Sequence, residues 1–365
     1  MSVYGAPVHS SAVYRTLCAG RVSEQPPLEG WPAFFRDLVF CTKGSTSAEE
    51  ALRGTRNWDI FVRHKPTRRE YELDEVVGHG AYARVWKLTL RPPASHNLPQ
   101  HLVLKVFGAS PSWQSVAEIS VVDRMELVDL LSGTTPTDRI PARALSSLTG
   151  IRAIVMPFAP GSLADIHHVP QRVALKLLKA TLAEVRAMHE TYKLWCVDVK
   201  NANFLYDCNH NEVRVRAADY GGYANEGDVA LSTYCIPWDS ILRDEACEEL
   251  CVYGLFVLFL SLCLSTEELT AMNAVLYTPA IVEDDERINE AYDAGIPIPE
   301  KRSLAYHRRI FAMPWSSSAR RVLGATTRFR PSWAGYGGQP LTLRALDGAF
   351  KAVNKDIESE SDDDA

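Results

Sequence analysis

Tyr71–Gly78 reads YELDEVVG, Ala83–Arg91 reads ARVWKLTLR and His101–Gly108 reads HLVLKVFG. Each run is rich in β-branched and apolar residues, and turn formers such as Pro92-Pro93 and Asn97-Leu98-Pro99 separate them. Three antiparallel strands are the simplest account. Working outward, a helix is predicted from about Ser112 to Leu131, and Ile151–Phe158 reads as a further buried strand that Pro160-Gly161 ends. Beyond it the period becomes helical: Val173, Leu177, Leu178, Leu182, Val185 and Met188 recur through Gln171–Tyr192, and Glu248–Ser265 forms a second, apolar helix. The second half is therefore expected to be a helical lobe. In the other direction, residues 1 to about 70 mix Pro, Gly, Trp and charge without long periodicity, with Ser47 and Glu50 as a capping box for a short helix. The basic run Arg63-His64-Lys65-Pro66-Thr67-Arg68-Arg69 reads as a solvated linker, with a nuclear address or a phosphate-binding strip as alternatives.

At 365 residues, 46% hydrophobic and 23% charged, the chain is neither collagenous nor wholly disordered and can bury a core without disulfides or metals. The net charge of -6 leaves no global basic excess, so no nucleic-acid partner is expected. The eight cysteines form no CxxC pair and no Cys/His zinc spacing, which reads as free thiols in a reducing compartment. The N-terminus lacks the features of a secretory signal, so an intracellular location, cytoplasm or nucleus, is expected. Leu250–Leu264 is apolar over about 15 residues where a span needs about 20, so a buried helix is expected and a membrane is not. The last ten residues hold six acidic and no basic side chains, so the whole net charge belongs to this tail, which cannot bury a core. Ser359 and Ser361 there lie in an acidic context that suits an acidophilic kinase.

Chemistry enters with Gly78-His79-Gly80-Ala81-Tyr82-Ala83-Arg84-Val85, a G-x-G-x-x-A-x-V run between two strands. Small residues there let backbone N–H groups approach phosphate oxygens, although a plain hairpin fits as well. A dinucleotide-binding turn is excluded, because that fingerprint must open a helix and here the chain continues as β. Lys105 stands inside the apolar strand Leu102-Val103-Leu104-Lys105-Val106, and a lysine so placed needs an anion. Glu118 on the following helix can supply it, with Glu126 as second choice. Then come Cys196-Val197-Asp198-Val199-Lys200-Asn201-Ala202-Asn203-Phe204-Leu205 and Asp219-Tyr220-Gly221.

In this order the motifs resemble the eukaryotic protein kinase family, with a Gly-rich loop, strand lysine, helix glutamate, D-x-K-x-x-N loop, and D-Y-G for D-F-G, over about Leu73 to Arg330. The resemblance implies an α+β, protein kinase-like two-lobed fold with a small β-rich N-lobe and a larger helical C-lobe. It implies ATP and Mg²⁺ as cofactors and serine/threonine hydroxyls of proteins as acceptors. Lys105, oriented by Glu118, would hold the α- and β-phosphates. Asp198 would orient the acceptor hydroxyl, Lys200 would counter charge on the γ-phosphate, and Asn203 and Asp219 would be the metal ligands. Gly78 and Gly80 would approach the phosphates. Met156 would be the gatekeeper, Pro157 and Ala159 would meet the adenine edge by carbonyl and N–H, and Val85, Val103 and Leu205 would line an apolar slot. The Lys200 position resembles serine/threonine rather than tyrosine kinases. The divergent catalytic loop and short activation segment loosely resemble kinases of large DNA viruses, herpesvirus-like ones included, which would place the chain in a host cell.

The chain also departs from that family. Cys196-Val197-Asp198 stands for His-Arg-Asp, so the arginine that receives an activation-loop phosphate is missing; Ser232, Thr233 and Tyr234 remain modifiable. Ile236-Pro237-Trp238 stands for Ala-Pro-Glu, so Trp238 cannot pair with Arg330, and Asp239 is the substitute after a one-residue shift. Glu249 replaces the aspartate that anchors the catalytic loop. The expected organisation is an N-terminal extension 1–70, a catalytic unit 71–350 divided at 158/159, and an acidic tail 351–365. An active kinase is expected. The alternative is a pseudokinase that binds nucleotide or partners, through residues 1–70 or the insert-like Val282–Arg287.

Overall fold

The computed structural model describes residues 31–42, 60–79, 83–92, 98–108, 113–132, 142–147, 150–159, 161–166, 169, 171–209, 212–228, 246–265, 267, 268, 270, 294, 342–344 and 346–348. Seven strands in them make one antiparallel sheet: β1 (Leu38–Thr42), β2 (Ile60–His64), β3 (Arg69–His79), β4 (Ala83–Arg91), β5 (His101–Phe107), β6 (Arg143–Ser146) and β7 (Arg152–Pro157). The order is β1-β2-β3-β4-β5-β7-β6. Alternation fixes which side each residue takes. Trp86, Leu88 and Leu90 of β4 and Leu102, Leu104 and Val106 of β5 join Phe40, Val62, Tyr71, Ala153 and Val155 in one core on the concave side of the sheet. Helix α1 (Trp31–Arg36) adds Phe35 to it.

The sheet curls until its ends nearly meet. Arg143, on edge strand β6, donates from Nη1 to the carbonyl of Phe35 at 2.6 Å and to that of Leu38, at the start of β1, at 3.5 Å. The basic run read as a linker is instead a tight hairpin: His64 pairs with Arg69, and Lys65–Arg68 make the turn. Arg68 takes φ 56°, a left-handed conformation. The His64 ring meets Thr67 Oγ1 at 2.8 Å and stacks on Phe34, which ties the turn down.

The convex face carries a second core. Helix α2 (Trp113–Ser132) lays Ile119, Val122 and Met125 over Val103, Ile154 and Met156. The strongly amphipathic α3 (Gln171–Tyr192) contributes Val173, Leu177, Leu178, Leu182, Val185 and Met188, as its spacing predicts. Helix α4 (Glu248–Cys263) buries Cys251, Leu255, Leu258, Phe259 and Leu262 in the same cluster. Among the described residues no helix is long and apolar enough to cross a membrane. Two small sheets complete the architecture: β8 (Gly161–Ser162), β10 (Phe204–Asn209) and β11 (Glu212–Ala217) in the order β11-β10-β8, and β9 (Leu194–Cys196) with β12 (Tyr223–Asn225).

This corrects the expected protein kinase-like two-lobed fold with its larger helical C-lobe. Among the described residues the architecture is mostly antiparallel β, with twelve strands against four α-helices and a nearly closed seven-stranded sheet. Five of the strands, β8 to β12, lie beyond residue 159, where the sequence predicts helices. The physical reason is length: runs of two to six residues are too short to show a period, so the two long helices dominate the pattern of the second half. Likewise β1 and β2, five residues each, lie within the stretch read as a 1–70 extension.

Candidate functional site

Lys105 stands mid-way along β5, opposite Val85 of β4 and Ile154 of β7, and points to the convex face. Glu118 lies in the first half of α2, which packs on that face. The two meet: Lys105 Nζ donates to Glu118 Oε1 at 2.6 Å and to Asp219 Oδ1 at 3.1 Å. Glu126, the second choice, turns away and faces Arg143 at 3.5 Å. Asp219 caps a one-turn 3₁₀ helix, Tyr220–Gly222, and accepts the Gly221 N–H on the same Oδ1 at 3.2 Å. Its orientation is thus set by local backbone as well as by Lys105.

Burial opposes the ammonium of Lys105, but the two carboxylates outweigh it and hold its pKa above the ordinary value. Asp219, although burial works against it, is kept below its usual range by Lys105, the Gly221 N–H and Lys200. Glu118 is only 4% exposed, and there burial, aided by the Asp219 charge, wins over Lys105 and pushes its carboxyl up to about 7. Two carboxylates share one cation, and the deeper one bears the cost.

Asp198 follows β9 and anchors a second cluster. Lys200 Nζ donates to Asp198 Oδ2 at 2.7 Å, and Asn203 Nδ2 donates to the Asp198 carbonyl at 2.8 Å and to Oδ2 at 3.0 Å. Asn203 is buried in the 3₁₀ turn Asn201–Asn203 that leads into β10. The clusters are joined through backbone: the N–H groups of Val197 and Asp198 both donate to the Gly222 carbonyl, at 2.8 and 3.4 Å. A Cβ on Gly222 would lie 2.8 Å from the Asp198 Cβ, so only glycine lets the chains approach this closely. The doubled glycine Gly221-Gly222 was the sequence signal for this contact.

The residues expected to line an apolar slot are placed as follows. Val103 pairs directly with Met156, both buried, and Val85 packs on the same cluster. Pro157 ends β7 opposite Leu102, and Ala159 follows, half-buried. Leu205 is on β10, opposite Ser162 of β8. Gly78 pairs with Val85 at the end of β3. Gly80, Pro160, Ser232, Thr233, Tyr234, Pro237, Trp238, Asp239, residues 282–287, Arg330 and the acidic tail lie outside the described residues, while Glu249 falls in the first turn of α4.

Among the described residues no group of three or more His, Cys, Asp or Glu side chains could hold a metal. Asn203 and Asp219, the expected metal ligands, come from neighbouring segments, since the Ala218 N–H donates to the Asn203 carbonyl at 2.8 Å. Burial raises the Cys196 and Cys263 thiols to about 12, which fits inert core cysteines. No protein-family model matches the chain and no curated protein proves similar to it, so the functional reading stands on these residues and their geometry.

Proposed function

We propose that this site transfers the γ-phosphate of ATP to serine or threonine hydroxyls of proteins. The reading rests on the site rather than on the architecture, since chemistry is carried by side-chain geometry. The observation that carries it is the convergence of Lys105, Glu118 and Asp219 on one side of Gly222 with Asp198, Lys200 and Asn203 on the other.

Phosphoryl transfer asks a protein for charge neutralisation, in-line positioning and an oriented hydroxyl. Lys105, fixed by Glu118, would meet phosphate oxygens. Asp198, whose Oδ2 is held by Lys200 and Asn203, would accept a hydrogen bond from the acceptor hydroxyl and take its proton. Lys200 would then stand beside the transferred group as a cation. Donation to Asp198 uses the Asn203 amide nitrogen, so its oxygen and the Asp219 carboxylate would be the groups to hold a metal, donors that suit a hard cation. Mg²⁺, if held by Asn203 and Asp219, would lower the charge on the triphosphate. Val85, Val103 and Met156 would offer an apolar surface to a purine.

The test is phosphate transfer from γ-labelled ATP by the purified full chain, with Mg²⁺ and a serine/threonine peptide array. Lys105→Met and Asp198→Asn should each lower the rate at least about a thousandfold while the fold is kept by circular dichroism. Mg²⁺-dependent ATP binding without transfer would support the nucleotide-binding scaffold instead. Absence of both would overturn the reading.

A further inference from the structure

Glu118 reaches Lys105 only while α2 stays against the segment that carries Asp219. Its own packing residues, Ile119, Val122 and Met125, are apolar and non-directional, so they fix the helix less tightly in rotation than in distance. Two polar contacts add direction. The Arg124 guanidinium donates to Asn225 Oδ1 at the end of β12, and the Tyr192 hydroxyl of α3 donates to Asp129 at 2.5 Å.

Asn225 is itself rigidly held. Its backbone N–H and its Nδ2 both donate to Asp228 Oδ2, at 3.0 and 2.5 Å, and the Asp228 N–H returns to the Asn225 carbonyl at 3.1 Å. The turn is fastened to the approach of α4, because the Gly227 N–H donates to the Ala246 carbonyl at 2.9 Å and the Ala246 N–H to the Asp228 carbonyl at 2.7 Å. On its other side Asn225 pairs with Leu194 of β9, the strand that delivers Asp198. Asn225 therefore links α2 to the turn after β12 through its side chain, and pairs through its backbone with the strand leading to Asp198.

We propose that Arg124 and Asn225 are positioning residues that set the rotation of α2 and so hold Glu118 against Lys105. Glu118, Arg124 and Asp129 are spread over about 16 Å of helix axis, so three separate grips define the helix orientation. Release of the Arg124 grip leaves α2 free to turn about the Asp129 contact, which moves the Glu118 carboxylate off Nζ and leaves Lys105 with Asp219 alone. The inference deepens the phosphotransferase reading and rests on it for its kinetic consequence.

The test compares full-length wild type, Asn225→Ala, Arg124→Met and Arg124→Lys by hydrogen exchange, thermal unfolding and phosphate-transfer kinetics. Asn225→Ala and Arg124→Met should speed exchange across 113–132 at least about tenfold, with little change in α3, and lower kcat about tenfold at unchanged acceptor KM. Arg124→Lys keeps a donor and should recover most of both. The proposal is overturned if exchange in 113–132 is unaffected, if it rises equally throughout the chain, or if the lysine variant is as defective as the methionine one. Should wild type itself transfer no phosphate, the functional reading fails, and the exchange comparison still decides the clamp.

Discussion

Glu118 and Asp219 compete for one ammonium, and the competition has a pH signature. The Glu118 carboxyl titrates near 7 in the folded chain against an ordinary value of 4.5, so between these the folded state keeps a proton that the unfolded state has lost. Stability should therefore be full below about pH 4.5 on this account and fall as pH rises to 7, by up to about 3 kcal/mol. Asp219 acts in the opposite sense, since its depressed pKa adds stability that is lost in acid. Urea unfolding from pH 4.5 to 7.5 should show the decline in wild type and a flatter profile in Glu118→Gln; an equal slope in both would reject the assignment. At this scale much was legible. An isolated lysine in an apolar strand demands an anion whatever the fold, and Asp198, Asn203 and Asp219 announce oxygen chemistry by residue type. The choice between Glu118 and Glu126 was not decided by sequence, because the two lie about 12 Å apart along one helix and only docking says which half covers Lys105. Arg124 and Asn225 gave no signal, since their partnership joins residues far apart in the chain.

Elements position the site by close approach as well as by hydrogen bonds. Gly254 in α4 is a poor helix former, worth about 1 kcal/mol less than alanine. A Cβ there, however, would lie 2.6 Å from the Val199 Cβ, and Val199 sits between Asp198 and Lys200. The clash outweighs the propensity gain. Gly254→Ala should destabilise by about 1–3 kcal/mol and slow transfer, and adding Val199→Ala should restore part of both, read by thermal unfolding and kcat. If Gly254→Ala is neutral or stabilising, α4 does not set the height of this loop. Long elements were readable: β3, β4 and β5 fall where β-branched and apolar runs between turn formers place them, and α3 where its 3.6 period does. The short strands β8 to β12 were not, because a run of two to six residues shows too little period and exists only through the partner that pairs with it.

At the level of the whole molecule, the curled sheet draws much of its concave core from the first 64 residues. Phe35, Leu38, Phe40, Ile60 and Val62 are all buried there. Loss of each costs about 2–5 kcal/mol, so together they are worth about 10–25 kcal/mol, comparable to or above the roughly 5–15 kcal/mol that typically holds a domain together. Deletion of residues 1–70 should therefore abolish cooperative unfolding and soluble expression, although every proposed catalytic residue is retained; a truncated chain with a sharp thermal transition would contradict this role for β1 and β2. The amino-acid sequence by itself determined which side chains can do chemistry and where the long strands and helices run, because residue type and period are local properties. Tertiary structure alone decided that the sheet curls to near closure, that strands continue past residue 159, and that Lys105 pairs with Glu118 while Gly222 brings Asp198 beside Asp219. Those outcomes depend on pairing and packing between distant segments, whose energies no local pattern contains.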